Sequence, residues 1–210
     1  MRTWDEYLSD VLVFVPECPD VVARGAVRDA AVDFCENSLC WQDTTDVYVL
    51  PSERDIPLTT DDDDILIVRP TRVGTRDLGD LEPKSARWLD RNLPGWRYDL
   101  GTPKYYTIPT KGVLWLAVHT DTAITLDLQL ALKPGPDSTE GPDDLYEDHH
   151  LAIASGAIAQ LASMPGKPWS NPALMALHAG IFTQARAAAG VKAARGNTNA
   201  ALRTSFNHRF

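Results

Sequence analysis

The first forty residues carry apolar side chains at steps of three and four positions, the spacing that one face of an α-helix requires. Thr3 and Glu6 fit the capping-box pattern that opens a helix, and Pro16 ends it. Pro19 and Asp20 suit the first turn of a second helix, which needs no proline N–H and favours an acid. The apolar positions of the two predicted helices are Trp4, Leu8, Val11, Leu12 and Val15, then Ala23, Ala26, Val27, Ala30 and Phe34.

From residue 43 to residue 142 the chain changes to short β-branched and aromatic runs separated by prolines and glycines. Strands are predicted at 47–50, 65–68, 105–108, 113–116 and 124–132, with a hairpin turn at 109–112. In the last strand, four leucines alternate with other residues and therefore share one face of an extended chain: Leu126, Leu128, Leu130 and Leu132. Residues 133–142 are rich in proline and glycine, and predict a linker without regular structure.

Helical spacing returns after this linker, at 143–164 and at 172–195. The first of these helices places Gly156, Ala157 and Ala159 where its core-facing side should lie, which predicts a close approach of another helix. The predicted core-facing stripe of the last helix is Leu174, Leu177, Ile181, Phe182, Ala185 and Ala188. Residues 196–210 lack an amphipathic period, yet carry two phenylalanines among basic side chains, and predict an extended C-terminal arm.

The predicted fold class is therefore α+β. A pair of helices cannot enclose a core, so we expect residues 1–42 and 143–195 to form one four-helix bundle. An antiparallel β-rich domain, residues 43–142, is inserted between the two helix pairs, and residues 196–210 form the arm.

Charge is distributed very unevenly along the 210 residues. All 29 acidic residues precede His149, whereas six basic residues and no acid follow Asp148. This asymmetry favours a basic end that docks on an acidic surface, either a protein or a polyanion. No run of about 18 apolar residues could cross a membrane, and the acidic start is unlike a signal peptide, so we expect synthesis in the cytoplasm and no membrane partner.

Residues that could carry chemistry do not assemble into a known catalytic pattern. Glu147 and His150 give half of a di-iron carboxylate motif, without the second copy that such a site needs. The acidic run 61–64 lacks calcium-loop spacing and is interpreted as a solvated turn. Cys35 lies beside an apolar helix stripe, as a packed thiol would, and three cysteines do not make a disulfide framework. We expect no enzyme activity, no cofactor and no metal site.

Several short segments, in a shared order, resemble head-to-tail adaptor (connector) proteins of tailed bacteriophages. Near the N-terminus these are Val15-Pro16-Glu17-Cys18-Pro19, then 26–36 and Trp41. Gly101-Thr102-Pro103-Lys104-Tyr105-Tyr106 is similar within the β segment, and 132–134, 152–159, 165–169 and 171–174 are similar in the closing half. One departure is His119-Thr120-Asp121, where a proline-rich turn is expected.

The resemblance implies a structural virion protein at the head–tail junction, a ring of identical subunits expected to number twelve. Its partners would be the portal protein on one side and a tail or nozzle protein on the other. The helical bundles would form the ring, the β part would face the next tail component, and DNA would pass through an acidic channel without specific binding. The arm would reach the portal through six anchor residues: Arg195, Leu202, Arg203, Phe206, Arg209 and Phe210.

Two other classes of function stay open at this point. A cytoplasmic binding module could use the basic C-terminal end to contact nucleic acid, and its affinity would then fall steeply with salt. An enzyme with a site inside the helical bundle would instead hold a metal or cofactor.

Overall fold

A computed structural model describes residues 1–76 and 78–196. Contacts divide the chain into a helical unit, Met1–Trp41 together with the chain from Lys133 onward, and a β-rich unit, Gln42–Leu132. The α+β class predicted from the sequence is confirmed. In these described ranges, no helix has the length and apolar character needed to cross a membrane.

The helical elements and strands follow one another in a simple order along the chain. They are β1 (Arg2–Thr3), a 3-10 turn (Trp4–Tyr7), α1 (Leu8–Leu12), α2 (Asp20–Ser38), β2 (Gln42–Val49), β3 (Ile56–Pro57), β4 (Ile65–Thr75), β5 (Gly79–Asp80), β6 (Glu82–Pro83), α3 (Ala86–Asn92), β7 (Tyr105–Thr110), β8 (Val113–Ala117), β9 (Ile124–Pro134), β10 (Glu140–Gly141), α4 (Asp143–Ala162) and α5 (Pro172–Ala194).

Helix α4 is the centre of the helical unit and contacts α1, α2 and α5. Every residue from Ala152 to Ile158 is buried, so this stretch has no solvent-facing side. A Cβ atom at Gly156 would lie 2.8 Å from the Phe182 ring of α5 and 3.0 Å from the Ala30 Cβ of α2. The close helix contact predicted at Gly156 is therefore confirmed, and it joins all three long helices.

The first predicted helix is correct in its buried stripe, since Trp4, Leu8, Val11 and Val15 are buried, but its capping box and its α-helical start are wrong. Thr3 makes no side-chain cap, and Glu6 instead pairs with Arg2 at 3.0 Å. Because Thr3 is held in the β1 ladder opposite Glu140, the chain continues as a 3-10 turn before the five residues of α1. The Trp4 indole N–H donates to the Ser138 carbonyl at 2.9 Å, which fixes this turn on the later segment. Three long helices and one short one thus share the core.

The predicted linker, residues 133–142, is also partly wrong. Strand β9 runs on to Pro134, and Glu140–Gly141 forms β10. Composition alone could not predict this, because β10 exists only by pairing with β1, from the far end of the sequence. Position 141 favours glycine, because the Cβ of any other residue would lie only 2.6 Å from the Trp4 ring.

The β-rich unit contains two four-stranded sheets, with strand orders β2-β9-β4-β5 and β3-β8-β7-β6. Strand β9 pairs antiparallel with β2, in a register that places Leu126 opposite Val47. The four alternating leucines of β9 are all buried, as predicted. Strands β7 and β8 form the predicted hairpin, with Gly112 at φ +79° in its turn. One pair departs from the antiparallel expectation, because β6 runs parallel to β7.

Residues 74–100, which show no assignable sequence pattern, contain short elements. Helix α3 begins after Ser85, whose side chain accepts a hydrogen bond from the Trp88 N–H. Leu89 and Trp96 are buried here with Ala117, so a small separate core explains the aromatic residues of this stretch.

Candidate interaction surfaces

The C-terminal end of α5 is where the predicted portal-contact arm begins. Arg195 is the C-cap residue of α5 and is exposed. The other five predicted anchors, Leu202, Arg203, Phe206, Arg209 and Phe210, lie outside the described residues. The structure therefore positions only the start of the arm, at the negative end of a helix dipole, where a cation is favourable.

Two of the basic residues of the C-terminal third are paired inside the helical unit. Arg186 contacts the Asp33 carboxylate of α2 at 2.6 Å, and Lys192 contacts Asp148 of α4 at 2.6 Å. Lys192 holds the pKa of Asp148 below its usual range, and Asp148 raises the pKa of Lys192. Part of the charge asymmetry along the sequence therefore serves to join α5 to its neighbouring helices.

The core-facing stripe predicted for α5 is wrong on one side. Phe182 is buried against Phe34, with ring centroids 5.9 Å apart, but Leu177 is 61% exposed. Ile181 and Ala188 are exposed as well. Helical spacing could not separate the two sides, because small and apolar residues occur on both.

The exposed side of α5, called the α5 outer face below, has an unusual composition. Along the described helix from Ala173 to Val191, none of its exposed residues is charged. The face consists of Ala173, Ala176, Leu177, Gly180, Ile181, Thr183, Gln184, Ala187, Ala188 and Val191. Solvated helix faces normally carry charged residues, so this composition is typical of a face that another molecule covers.

The ends of α1 and α2 expose further apolar residues. Val13 is 76% exposed and Val21 is 74% exposed. Phe14 is half exposed and packs edge-on against His178, with ring centroids 4.8 Å apart. Burial lowers the pKa of His178, so this buried ring is neutral at neutral pH.

The β-rich unit exposes aromatic and aliphatic residues of its own. Tyr98 is 80% exposed, and Leu100, Tyr48 and Leu50 are also more than half exposed. Tyr98 and Leu100 lie in a loop held to the end of β8, where the His119 N–H donates to the Asp99 carbonyl at 2.9 Å. His119 itself is buried, and its Nε2 lies 2.8 Å from the Arg97 carbonyl oxygen. Residues 119–121, where the sequence departs from the expected proline-rich turn, thus include a buried histidine that anchors this loop.

The titratable residues singled out in the sequence do not come together. His150 bonds the Tyr146 carbonyl of its own helix at 2.8 Å, and the aspartates at 61–64 are all exposed before β4. Within the described ranges, no group of three or more metal-ligating side chains is close enough to hold an ion.

One pair of thiols was missed by the sequence analysis. Leu39 ends α2 with a left-handed φ of 55°, and the chain turns there so that the Cys35 thiol donates a hydrogen bond to Cys40. This bond lowers the pKa of Cys40 to about 7, while the same bond and burial raise the pKa of Cys35. Cys35 is fully buried, in line with a packed thiol.

These surfaces define a protein that presents apolar helix and loop faces outward, as proteins of multi-subunit assemblies do. The family model of the SU10 adaptor protein matches residues 2–205 of the chain. The chain therefore belongs to the SU10 adaptor protein family, and the resemblance to phage adaptor proteins is confirmed. It is a structural component of a bacteriophage virion. No curated protein matches the chain.

Proposed function

We propose that this chain forms the ring that joins the portal vertex of a phage head to the tail. The observation that carries the proposal is the match to the adaptor family across nearly the whole chain, which includes both the helical and the β-rich unit. The helical unit, including the predicted four-helix arrangement, is the body of the ring. The expected number of subunits is twelve.

The portal side of the ring is assigned to the C-terminal arm, from Arg195 onward. Apolar anchors such as Phe206 and Phe210 supply binding energy once desolvated, and Arg203 and Arg209 pair with carboxylates of the partner. The exposed position of Arg195 at the C-terminal end of α5 supports this assignment, because the proposed arm would begin there.

The tail side is assigned to the β-rich unit. Its exposed Tyr98 and Leu100 lie in a loop that His119 anchors, so a partner can bind them without first ordering the loop. Aromatic residues in such positions are common anchors of protein interfaces. The net charge of −9 supports a channel that repels DNA and lets it pass without specific binding.

The competing nucleic-acid-binding function is less well supported. A basic C-terminal third would need free cations, yet Arg186 and Lys192 are already paired with Asp33 and Asp148. We therefore expect no binding of linear duplex DNA at physiological salt, measured by fluorescence anisotropy. Salt-sensitive binding there would favour the alternative function.

The direct test is co-sedimentation with heads of the encoding phage that lack the adaptor but retain the portal. We expect the full chain to sediment with these heads, and not with capsid shells assembled without portal. Equal sedimentation with both particles, or with neither, would contradict the proposed function.

A further inference from the structure

The C-terminal end of α2 brings two cysteines together. Leu39 takes a left-handed φ of 55°, and its backbone N–H donates to the Cys35 carbonyl at 2.9 Å. In helix endings of this kind, a residue after the left-handed position commonly contacts the last helical turn. Cys40 does so here, because the Cys35 thiol donates a hydrogen bond to it and the Cys40 backbone N–H lies 3.3 Å from the Ser38 hydroxyl.

The two thiols differ in their access to solvent. Cys35 is fully buried in the core of the helical unit, whereas Cys40 is only partly buried at its edge. The third cysteine, Cys18, is buried near the start of α2, and its thiol donates to the Pro19 carbonyl at 3.7 Å. A small reagent in solution therefore meets Cys40 before Cys35.

The same hydrogen bond makes Cys40 the more reactive thiol. It lowers the pKa of Cys40 to about 7, while burial raises the pKa of Cys18. Lys192 of α5 also interacts electrostatically with Cys40, and this lysine is paired with Asp148 of α4 at 2.6 Å. Because the thiolate is the nucleophile, Cys40 should react first with an oxidant near neutral pH.

The surroundings of the chain change from reducing to oxidising during the life of a virion. The chain is synthesised inside a cell, where thiols are kept reduced, and it is a component of the released particle. Cys35 and Cys40 are both free thiols in the structure. A pair already in hydrogen-bond contact can therefore close once the particle has left the cell.

We propose that Cys35 and Cys40 form an oxidation site, in which a hydroperoxide converts the hydrogen-bonded thiols into a disulfide that fixes the end of α2 in the released particle. The site uses residues of a single subunit, so the inference goes beyond the proposed function and does not depend on ring formation.

The reaction needs one hydroperoxide for each pair of thiols. The Cys40 thiolate attacks one peroxide oxygen, so that an S–O bond forms, the O–O bond breaks, and the other oxygen leaves and takes up a proton. The Cys35 sulfur then attacks the Cys40 sulfur, which forms the S–S bond and breaks the S–O bond. The departing hydroxide takes the Cys35 proton and leaves as water. The two thiols lose two electrons, and the peroxide gains them.

The disulfide would strengthen a point where two helices meet. A Cβ at Gly190 of α5 would lie 3.6 Å from the Ser38 backbone, so the end of α2 packs directly on α5. A closed Cys35–Cys40 loop limits the unfolded chain and should raise the melting temperature of the helical unit by about 5 °C. An equal melting temperature for the oxidised and the reduced chain would contradict this stabilising role.

Peptide mass mapping of the full-length chain tests the site. The chain is freed of reductant, treated with hydrogen peroxide, blocked with iodoacetamide and cut with trypsin. Both thiols of the pair lie in the tryptic peptide 29–54, whereas Cys18 lies in the peptide 3–24. We expect the peptide 29–54 to lose two hydrogen atoms in mass and to carry no iodoacetamide adduct, and the Cys18 peptide to be alkylated after denaturation.

Matched single variants assign the two roles. Cys18→Ala should leave the oxidation unchanged, and Cys40→Ala should leave Cys35 unoxidised. Cys35→Ala should stop at the Cys40 sulfenic acid, which dimedone traps. A wild-type peptide 29–54 that gains oxygen atoms and forms no disulfide, or a disulfide that joins it to the Cys18 peptide, would overturn the proposal without reference to any variant.

The particle itself provides the second test. Infected cells and released particles of the encoding phage are quenched in acid, alkylated and mapped in the same way. We expect the peptide 29–54 to be reduced in cells and oxidised in released particles. A reduced pair in released particles that contain the chain at the head–tail junction would contradict this inference and leave the proposed function standing. A chain that forms the disulfide but never binds portal-bearing heads would contradict the proposed function alone.

Discussion

The close contact at Gly156 predicts that a glycine-to-alanine substitution affects the stability of the helical unit differently at Gly156 and at Gly180. Gly156→Ala places a Cβ 2.8 Å from the Phe182 ring and 3.0 Å from the Ala30 Cβ, so a helix or the ring must move. Apart from its chain neighbours and the nearby backbone of its own helix, Gly180→Ala meets no atom of the described residues within 4 Å. The chemical change is the same, and both positions are helix interiors.

The magnitudes follow from these distances. Alanine is favoured over glycine in a helix by about 1 kcal/mol, so Gly180→Ala should stabilise the free subunit by about that amount. At Gly156 the same gain is opposed by overpacking, which costs about 1–3 kcal/mol in a well-packed core. We expect Gly156→Ala to be neutral or destabilising, and Gly156→Leu to be clearly destabilising because the larger side chain has no space between three helices.

Urea unfolding followed by the helical circular dichroism signal measures both effects. The double variant Gly156→Ala with Phe182→Leu should lose less stability than the sum of the two single variants, because the smaller residue at 182 leaves room for the new methyl group. If Gly156→Ala were as stabilising as Gly180→Ala, the packing of α4 between α2 and α5 would be wrong.

Three further predictions concern the helix cap, the thiol pair and the arm. Asn171→Ala should cost about 1 kcal/mol in thermal or urea unfolding, because its side chain accepts hydrogen bonds from two backbone N–H groups of the first turn of α5 at 3.1 Å each; an unchanged transition would contradict the cap. Alkylation of Cys40 should accelerate as pH rises through about 7, because the thiolate is the reacting form. The variant Cys35→Ala should move the midpoint of this pH dependence upward, because it removes the hydrogen-bond donor to that thiolate. The same midpoint in both chains would rule out the hydrogen bond as the cause of the lowered pKa. Deletion of residues 197–210 should leave the melting curve of the free subunit nearly unchanged, yet abolish sedimentation with portal-bearing heads; retained binding would move the anchor elsewhere on the chain.

Patterns within a single helix or strand were readable from the sequence. The buried stripe of α2 and the alternating leucines of β9 follow from periodicity alone, since each repeats many times over one continuous segment. Gly156 was also predictable, because small residues on a core-facing side have few other uses.

Features that depend on distant parts of the chain could not be predicted in this way. Strand β10 exists because Arg2 and Thr3 pair with it, and the same pairing replaces the expected capping box at Thr3. The pairing of Arg186 with Asp33 likewise joins residues far apart in sequence. The sequence alone therefore suggested that Arg186 could bind a partner, whereas it is engaged within the subunit.

The candidate surfaces were only partly visible for a related reason. The apolar spacing of α5 is correct, but it does not say which side faces the core, and Leu177 was assigned to the wrong one. The exposed, uncharged composition of that side could be recognised only after the neighbours of α5 were known.

The central claim, that this chain is the ring between head and tail, is tested most directly by imaging. Portal-bearing heads that lack the adaptor are mixed with the purified full-length chain and examined by cryo-electron microscopy, with the same heads alone as the control. The account predicts an added ring of identical subunits beneath the portal, with a central hole. Heads whose portal vertex is indistinguishable from that of the control, with the chain left free in solution, would contradict it.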